Sequence, residues 1–205
     1  MIKFVAMRKA INHLKKVDPV MRTVIESLGP CKIDYGEPSF ASLSETIVYQ
    51  QLHGKAAATI FRRFLDLAGR PLTPQRVMRL TDEQMRSAGL SKQKLSYLRS
   101  LAELTHSGEL NFEQLPGMSN EDVIAHLTQV KGIGTWTAQI FLMFTLQRPD
   151  ILPTGDLGIQ MAMQKLYRKR KLPKPKEMEK IAKVWSPYRT YACWYLWKSV
   201  DTKTS

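Results

Sequence analysis

The chain reads as an all-α protein of about ten helices, and three observations predict it. Apolar residues recur at i, i+3, i+4 spacing along most of its length. Ser, Thr and Asp stand where helices should begin, with Gly or Pro where they should stop, and stretches of strict apolar–polar alternation are scarce. The 205 residues suffice for one domain with a sizeable core, folded as two lobes, and leave no length for a second independent module.

Taken in order, residues 4 to 16 form a basic helix. Asp18 and Pro19 fit N-cap and N1 of a second, whose Val20, Val24, Ile25 and Leu28 face inward until Gly29 and Pro30 stop it. Cys31 to Pro38 is a connection. From Ser39, the positions Phe40, Leu43, Ile47, Val48 and Leu52 recur at helical spacing up to Gly54, and Ala57, Ile60, Phe61, Phe64 and Leu65 do so in the next helix. Thr73 with Pro74 starts another helix. Thr81 with Gln84 forms a capping box for a further one, closed by Gly89. Ser91 caps a helix with Leu95, Leu98, Leu101 and Ala102 on its buried face, Gly108 ends it, and Ser119 begins the next. Pro153 to Asp156 is a turn, followed by a helix from Leu157 to about Arg168 carrying Ile159, Met163, Leu166 and Tyr167. Pro175 opens a helix with Met178, Ile181, Ala182 and Trp185 inside. After Ser186 and Pro187 a last one, Tyr188 to Val200, is aromatic on most sides.

The segment Val130 to Ala138 reads helix, tight hairpin, helix. Gly132 and Gly134 flank Ile133, and glycines let a backbone take positive φ and come close to a neighbour. Such a turn leaves amides bare, and the following helix, Thr135 to about Thr145, points the positive end of its dipole to the same place. An anion such as a DNA phosphate fits there. A glycine turn between packed helices accounts for the same pattern, and Leu127, Val130, Ile133, Trp136, Ile140, Leu142, Met143 and Phe144 give the two helices apolar faces.

Lys and Arg number 31 against 18 Asp and Glu, a formal net charge of +13, which selects a polyanionic partner: nucleic acid or acidic lipid. The amino terminus lacks the apolar core of a signal peptide. No run approaches the roughly 18 apolar residues of a membrane span, so a soluble intracellular protein is expected. Cys31 and Cys193, the only cysteines, are too few for a disulfide framework or for the four thiolates of an iron–sulfur cluster.

VKGIGTWTA followed by LPTGDLGIQ resembles the helix-hairpin-helix DNA glycosylases, and WSPYRTYA is similar to their 3-methyladenine DNA glycosylase II branch. With SLSETIVYQQLHGKAA and GLSKQKLSYLRSLA, these blocks spread the resemblance over nearly the whole chain. The resemblance implies a middle lobe of approximately residues 39–135, a second lobe from 1–38 plus 136–205, and an active site in the cleft bordered by the hairpin and the GDLG turn. The amino-terminal β domain of some bacterial members has no counterpart, so a minimal version is expected. The implied activity is monofunctional hydrolysis of the N-glycosidic bond of alkylated purines in base excision repair. The implied partner is double-stranded DNA with alkylated bases, bound by a monomer with no role for a membrane. Residence in the bacterial cytoplasm at the nucleoid, or in a eukaryotic nucleus, goes with it. No cofactor is expected, apart from a monovalent cation that the hairpin carbonyls could hold. Two rival readings are a catalytically weak helix-hairpin-helix protein that only binds lesions and, farther off, a bifunctional lyase.

Excision of a base passes through an oxocarbenium-like transition state, so it asks for negative charge beside the sugar and a place for the extruded base. On local grounds Asp156 is an N-cap; the resemblance places the family's catalytic aspartate on it, and both can hold together. Trp136 is either packing between hairpin helices or a base-stacking surface. In bifunctional relatives its place holds a lysine, and an indole cannot form a Schiff base. An electron-rich ring also suits a base made cationic by methylation. Tyr188 and Trp185 are further candidates for the pocket wall, although helical spacing favours core packing for Trp185.

Gln51, Leu52 and His53 lie in the join between two helices. The apolar periodicity assigns Leu52 to the core, whereas the resemblance makes this loop the wedge that fills the gap left by a flipped nucleotide. Lys131, Gly132, Ile133, Gly134 and Thr137 are the expected phosphate contacts of the hairpin. Ile140 departs from the aromatic residue of some relatives, which bears on substrate breadth. The run RKRKLPKPK, Arg168 to Lys176, reads as a solvated loop or a nuclear-import signal and is expected to add nonspecific DNA affinity at most.

Overall fold

The computed structural model describes residues 2–52 and 54–201. Among them are twelve α-helices, two short 3-10 turns and no strand, so the all-α expectation holds with somewhat more helices than about ten. They are α1 Ile2–Val17, α2 Pro19–Leu28, α3 Phe40–Tyr49, α4 Gly54–Ala68, α5 Pro74–Arg79, α6 Asp82–Ser87, α7 Lys92–Ser107, α8 Asn120–Thr128, α9 Thr135–Phe144, α10 Leu157–Leu166, α11 Pro175–Ala182 and α12 Arg189–Asp201. The chain divides into two compact units: one from Gly36 to Phe141, the other from the residues up to Tyr35 together with those from Leu142 onward. The second division falls inside α9. Ala138 and Phe141 are buried, and the Phe141 ring lies 6.4 Å from Phe112, so the first turns of α9 belong with residues 36–141 instead of separating at 135.

In the unit of residues 36–141, α7 packs on α3 and α5, and α3 on α4. Leu98 and Leu101 of α7, Leu43 and Ile47 of α3 and Phe64 of α4 are wholly buried. The helix starts follow the sequence: Thr81 and Gln84 make the reciprocal capping box of α6, and Ser91 and Ser119 cap α7 and α8. The carbonyls at the end of α5 and at its C-cap Leu80 gain acceptor contacts from α7. The Arg99 guanidinium donates to Val77 O at 3.0 Å, to Met78 O at 3.1 Å and to Leu80 O, and also contacts Asp82.

In the other unit α10 packs on α12, and α2 on α1 and α12. Its polar centre is Asp18. This buried carboxylate caps α2 by accepting from the amides of Val20 (2.8 Å) and Met21 (3.1 Å) on Oδ1. On Oδ2 it accepts from the Tyr167 hydroxyl (2.6 Å) and Trp185 Nε1 (2.8 Å). Burial and the neighbouring carboxylate push the Tyr167 phenol well above its usual range. Trp185 is wholly buried, so its indole is core and a ligand of Asp18, not a pocket wall.

A second polar joint fixes the approach to α10. Arg189 holds Asp150 in a fork, Nε to Oδ1 at 2.7 Å and Nη2 to Oδ2 at 2.9 Å, with the Arg189 amide and the Ser186 hydroxyl adding bonds of 3.1 and 2.9 Å. Burial raises the Asp150 carboxyl, but the hydrogen bonds from Arg189 and Ser186 outweigh it and leave the group below the usual carboxylate range. Thr190 completes the joint by donating to Arg148 O (2.7 Å) and accepting from Ile151 N (3.1 Å). Much of WSPYRTYA therefore positions the loop that leads into the GDLG turn.

Candidate functional site

The hairpin between α8 and α9 packs through Leu127, Val130 and Ile133, all buried. Gly132 takes φ +80°, and a Cβ there would lie 2.2 Å from the Tyr97 ring, so the position demands glycine twice over. Gly134 does not share that conformation. Its φ is not positive, and an added Cβ would meet nothing within 4 Å. The room it leaves is on the outside of the fold.

Not every hairpin amide is bare. Lys131 N donates to Ser100 Oγ (3.2 Å) and Ile133 N to Val130 O (3.0 Å), whereas Gly132, Gly134 and Thr135 show no amide hydrogen bond among the described residues. This corrects two expected contacts. Ile133 has its side chain in the core and its amide spent, and Thr137 is only 6% exposed, on a cavity wall instead of at the hairpin tip. Lys131 is exposed. Of the hairpin carbonyls, those of Val130 and Gly132 accept from Ile133 N and Gln50 Nε2.

The α3–α4 join shows why periodicity misplaces Leu52. Helix α3 stops at Tyr49, and Gln51 turns left-handed at φ +56°, a conformation that costs a side-chain-bearing residue roughly 1 kcal/mol or more. The apolar run is thereby swung outward. Leu52 is 38% exposed and not core. Gln50, which no local sequence signal marks, ties this loop to the hairpin by donating from Nε2 to Gly132 O at 3.0 Å. His53 lies outside the described residues.

Loop and hairpin border a cavity of about 860 Å³ within the same unit, lined among others by Tyr49, Gln51, Leu52, Lys94, Trp136 and Ile140. That volume is in the range of small-molecule sites. Trp136 is 47% exposed, which rules out simple packing between the hairpin helices. Lys94 donates from Nζ to Val48 O at 2.6 Å, and its burial lowers the ammonium pKa.

In the other unit Asp156 ends a turn closed by its own amide on Pro153 O (3.1 Å) and caps α10. It is 8% exposed. Oδ1 accepts from Ile159 N (2.7 Å) and from Trp197 Nε1 (2.9 Å). Trp197 was not singled out from the sequence, because it sits in a helix with aromatics on most sides. Gly158 makes the meeting feasible: a Cβ there would crowd Asp156 Oδ1 and Trp197 Cδ1, both at 3.1 Å. The turn is braced further by Gln160 Nε2 on Thr154 O (2.8 Å), and the Trp197 ring rests 5.9 Å from Phe144. The result is a carboxylate held at the positive end of a helix, suited to stabilising a nearby cation.

Tyr188 is half-buried, its ring edge-on to His13 at 5.3 Å and to Tyr191 at 6.3 Å. Burial pushes the Cys31 thiol up to about 12 and, with the charge of Asp156, raises that of Cys193 as well, so neither is a nucleophile at neutral pH. Among the described residues no His, Cys, Asp and Glu cluster could hold a metal ion, and no helix is long and apolar enough to cross a membrane.

Residues 44–187 match the family model described as HhH-GPD superfamily base excision DNA repair protein. The chain is 36% identical over 201 residues to DNA-3-methyladenine glycosylase 1 of Schizosaccharomyces pombe, spanning 95% of this chain and 88% of that one. Among solved structures it is similar to an S. pombe 3-methyladenine DNA glycosylase in complex with abasic DNA, with a TM-score of 0.81 and 36% identity over 94% of this chain and 97% of the other. It is also similar to the DNA-3-methyladenine glycosidase of Bacillus halodurans, with a TM-score of 0.84 and 38% identity over 94% and 89% of the two chains.

Proposed function

The chain belongs to the HhH-GPD superfamily of base excision DNA repair proteins, and on that premise we propose that it is a monofunctional DNA glycosylase that hydrolyses alkylated purines of the 3-methyladenine type from duplex DNA. Asp156 carries the reading. Its carboxylate is fixed through Oδ1 by two donors and sits at a helix start, which suits it to stabilise the developing sugar cation and to orient the attacking water. A purine alkylated at N3 or N7 is already positively charged, so it departs without a second carboxylate as general acid, and the reaction asks for no cofactor. The exposed Trp136 indole supplies a face on which a cationic base stacks. The open amides of Gly132 and Gly134 bind backbone phosphate, and Leu52, held outward by the left-handed Gln51, takes the place of the extruded nucleotide.

Chromatography of bases released from methylated duplex tests the substrate class. We expect methylated purines in the supernatant. Binding without release would leave only a lesion-binding protein. The product strand should stay intact until alkali is added, and borohydride should trap no covalent complex, because Trp136 offers no amine. A trapped adduct would overturn the monofunctional assignment.

Leu52→Ala should separate wedge from core. A buried Leu→Ala costs about 2 to 5 kcal/mol. At an exposed position the free protein should instead melt within a degree or two of the parent, while excision from duplex falls and excision from a single strand changes less. A large loss of melting temperature would return Leu52 to the core.

A further inference from the structure

Nearly half of the net charge sits on one short segment. Arg168, Lys169, Arg170, Lys171, Lys174 and Lys176 carry six of the chain's net thirteen positive charges, and no acidic residue lies among them. All six are exposed. None takes part in a salt bridge among the described residues.

This is an ordered loop. Arg168 turns left-handed at φ +51° where α10 ends, Lys169 N returns to Gln164 O at 2.8 Å, and the buried Pro173 anchors the far side. Glu177 turns its carboxylate back on the Lys174 amide (3.0 Å), fixing the start of α11. Folding does not account for the charges. Lys174 and Lys176 stand at the N-terminus of α11, where the helix dipole disfavours cations, and closely spaced like charges repel. A cluster that opposes local stability and lacks internal partners matches an external polyanion with regularly repeated charge.

We propose that the loop of residues 168–176 is a second duplex-binding surface, contacting DNA phosphates independently of the lesion and of the hairpin. The proposal rests on the DNA-repair reading above. It assigns the basic run a specific share of the affinity, which the sequence alone did not.

The test is the salt dependence of binding to undamaged duplex by the full chain and by a Lys169→Gln, Arg170→Gln, Lys171→Gln variant, with Gly134→Val measured in parallel. Each lost phosphate contact should make the log–log slope shallower by about 0.9, so the triple variant should lose about two to three units of slope and at least tenfold in affinity near physiological salt. Its melting temperature and its single-turnover excision at saturating enzyme should match the parent. Additive losses on combining it with Gly134→Val would show two independent surfaces. An unchanged slope in the triple variant, with excision intact, overturns the loop assignment and leaves the glycosylase standing. Loss of binding to phosphatidylserine vesicles, with duplex binding unaltered, overturns it in favour of a lipid surface. A wild-type chain with no affinity for duplex would sink both.

Discussion

Asp156→Asn should lower single-turnover excision by roughly two to three orders of magnitude, the scale expected when one preorganised electrostatic partner is removed from a developing charge. The substitution is unusually clean. Ile159 N and Trp197 Nε1 both reach Oδ1, which asparagine retains, and Asn ranks with Asp as an N-cap. The α10 start and the packing around Gly158 should therefore survive, and melting temperature and duplex affinity should stay close to the parent. The loss should be larger for a neutral lesion such as ethenoadenine, if it is excised at all, than for methylated purines, whose bond is already weak. Rates matching the parent at unchanged stability would reduce Asp156 to a helix cap. Reduced rates together with a large melting shift would mean that asparagine does not preserve the turn, and Trp197→Phe, which removes one donor and keeps the charge, would then have to show the smaller effect.

Asp18→Ala should produce a large loss of stability. Asp18 is 6% exposed and accepts from four donors, two amides of the first turn of α2, the Tyr167 hydroxyl and the Trp185 indole. Alanine leaves all four without an acceptor in a site too enclosed for ready hydration. A loss of about 3 to 5 kcal/mol follows from the cap and the orphaned donors together. For a chain of this size that corresponds to a fall of roughly 10 to 15 °C in melting temperature. Asp18→Asn keeps the Oδ1 cap but turns an NH2 donor toward the Tyr167 hydroxyl and the Trp185 indole, so it should recover only the cap's share of the loss. A shift under about 3 °C for alanine would show that water or a rearranged side chain replaces the carboxylate.

Local rules placed the helix starts because capping is settled within four residues: Asp18, Thr81 with Gln84, Ser91 and Ser119 all do what their spacing implies. What failed depended on partners distant in sequence or on one backbone angle. Leu52 continues its helix's apolar pattern perfectly, and only the left-handed Gln51 carries it out of the core. Gly132 and Gly134 look alike in GIG, yet one is demanded by Tyr97, thirty-five residues earlier, and the other by nothing among the described residues. Ile133 as a phosphate contact failed because its amide serves Val130 first. Trp197 was invisible because its neighbours in α12 are aromatic too, so periodicity could not mark the one whose indole N–H meets Asp156. Trp185 followed its spacing into the core.

The hydrogen bond from Gln50 to Gly132 has an entropic corollary. The peptide plane joining Gly132 to Ile133 is pinned at both ends, its carbonyl by Gln50 Nε2 and its N–H by Val130 O, so it is barred from the flip that a glycine with positive φ would otherwise permit. The amides on either side of that plane are already aimed when an anion arrives. Little ordering remains to be done on contact, and the free energy of association is not eroded by freezing the turn.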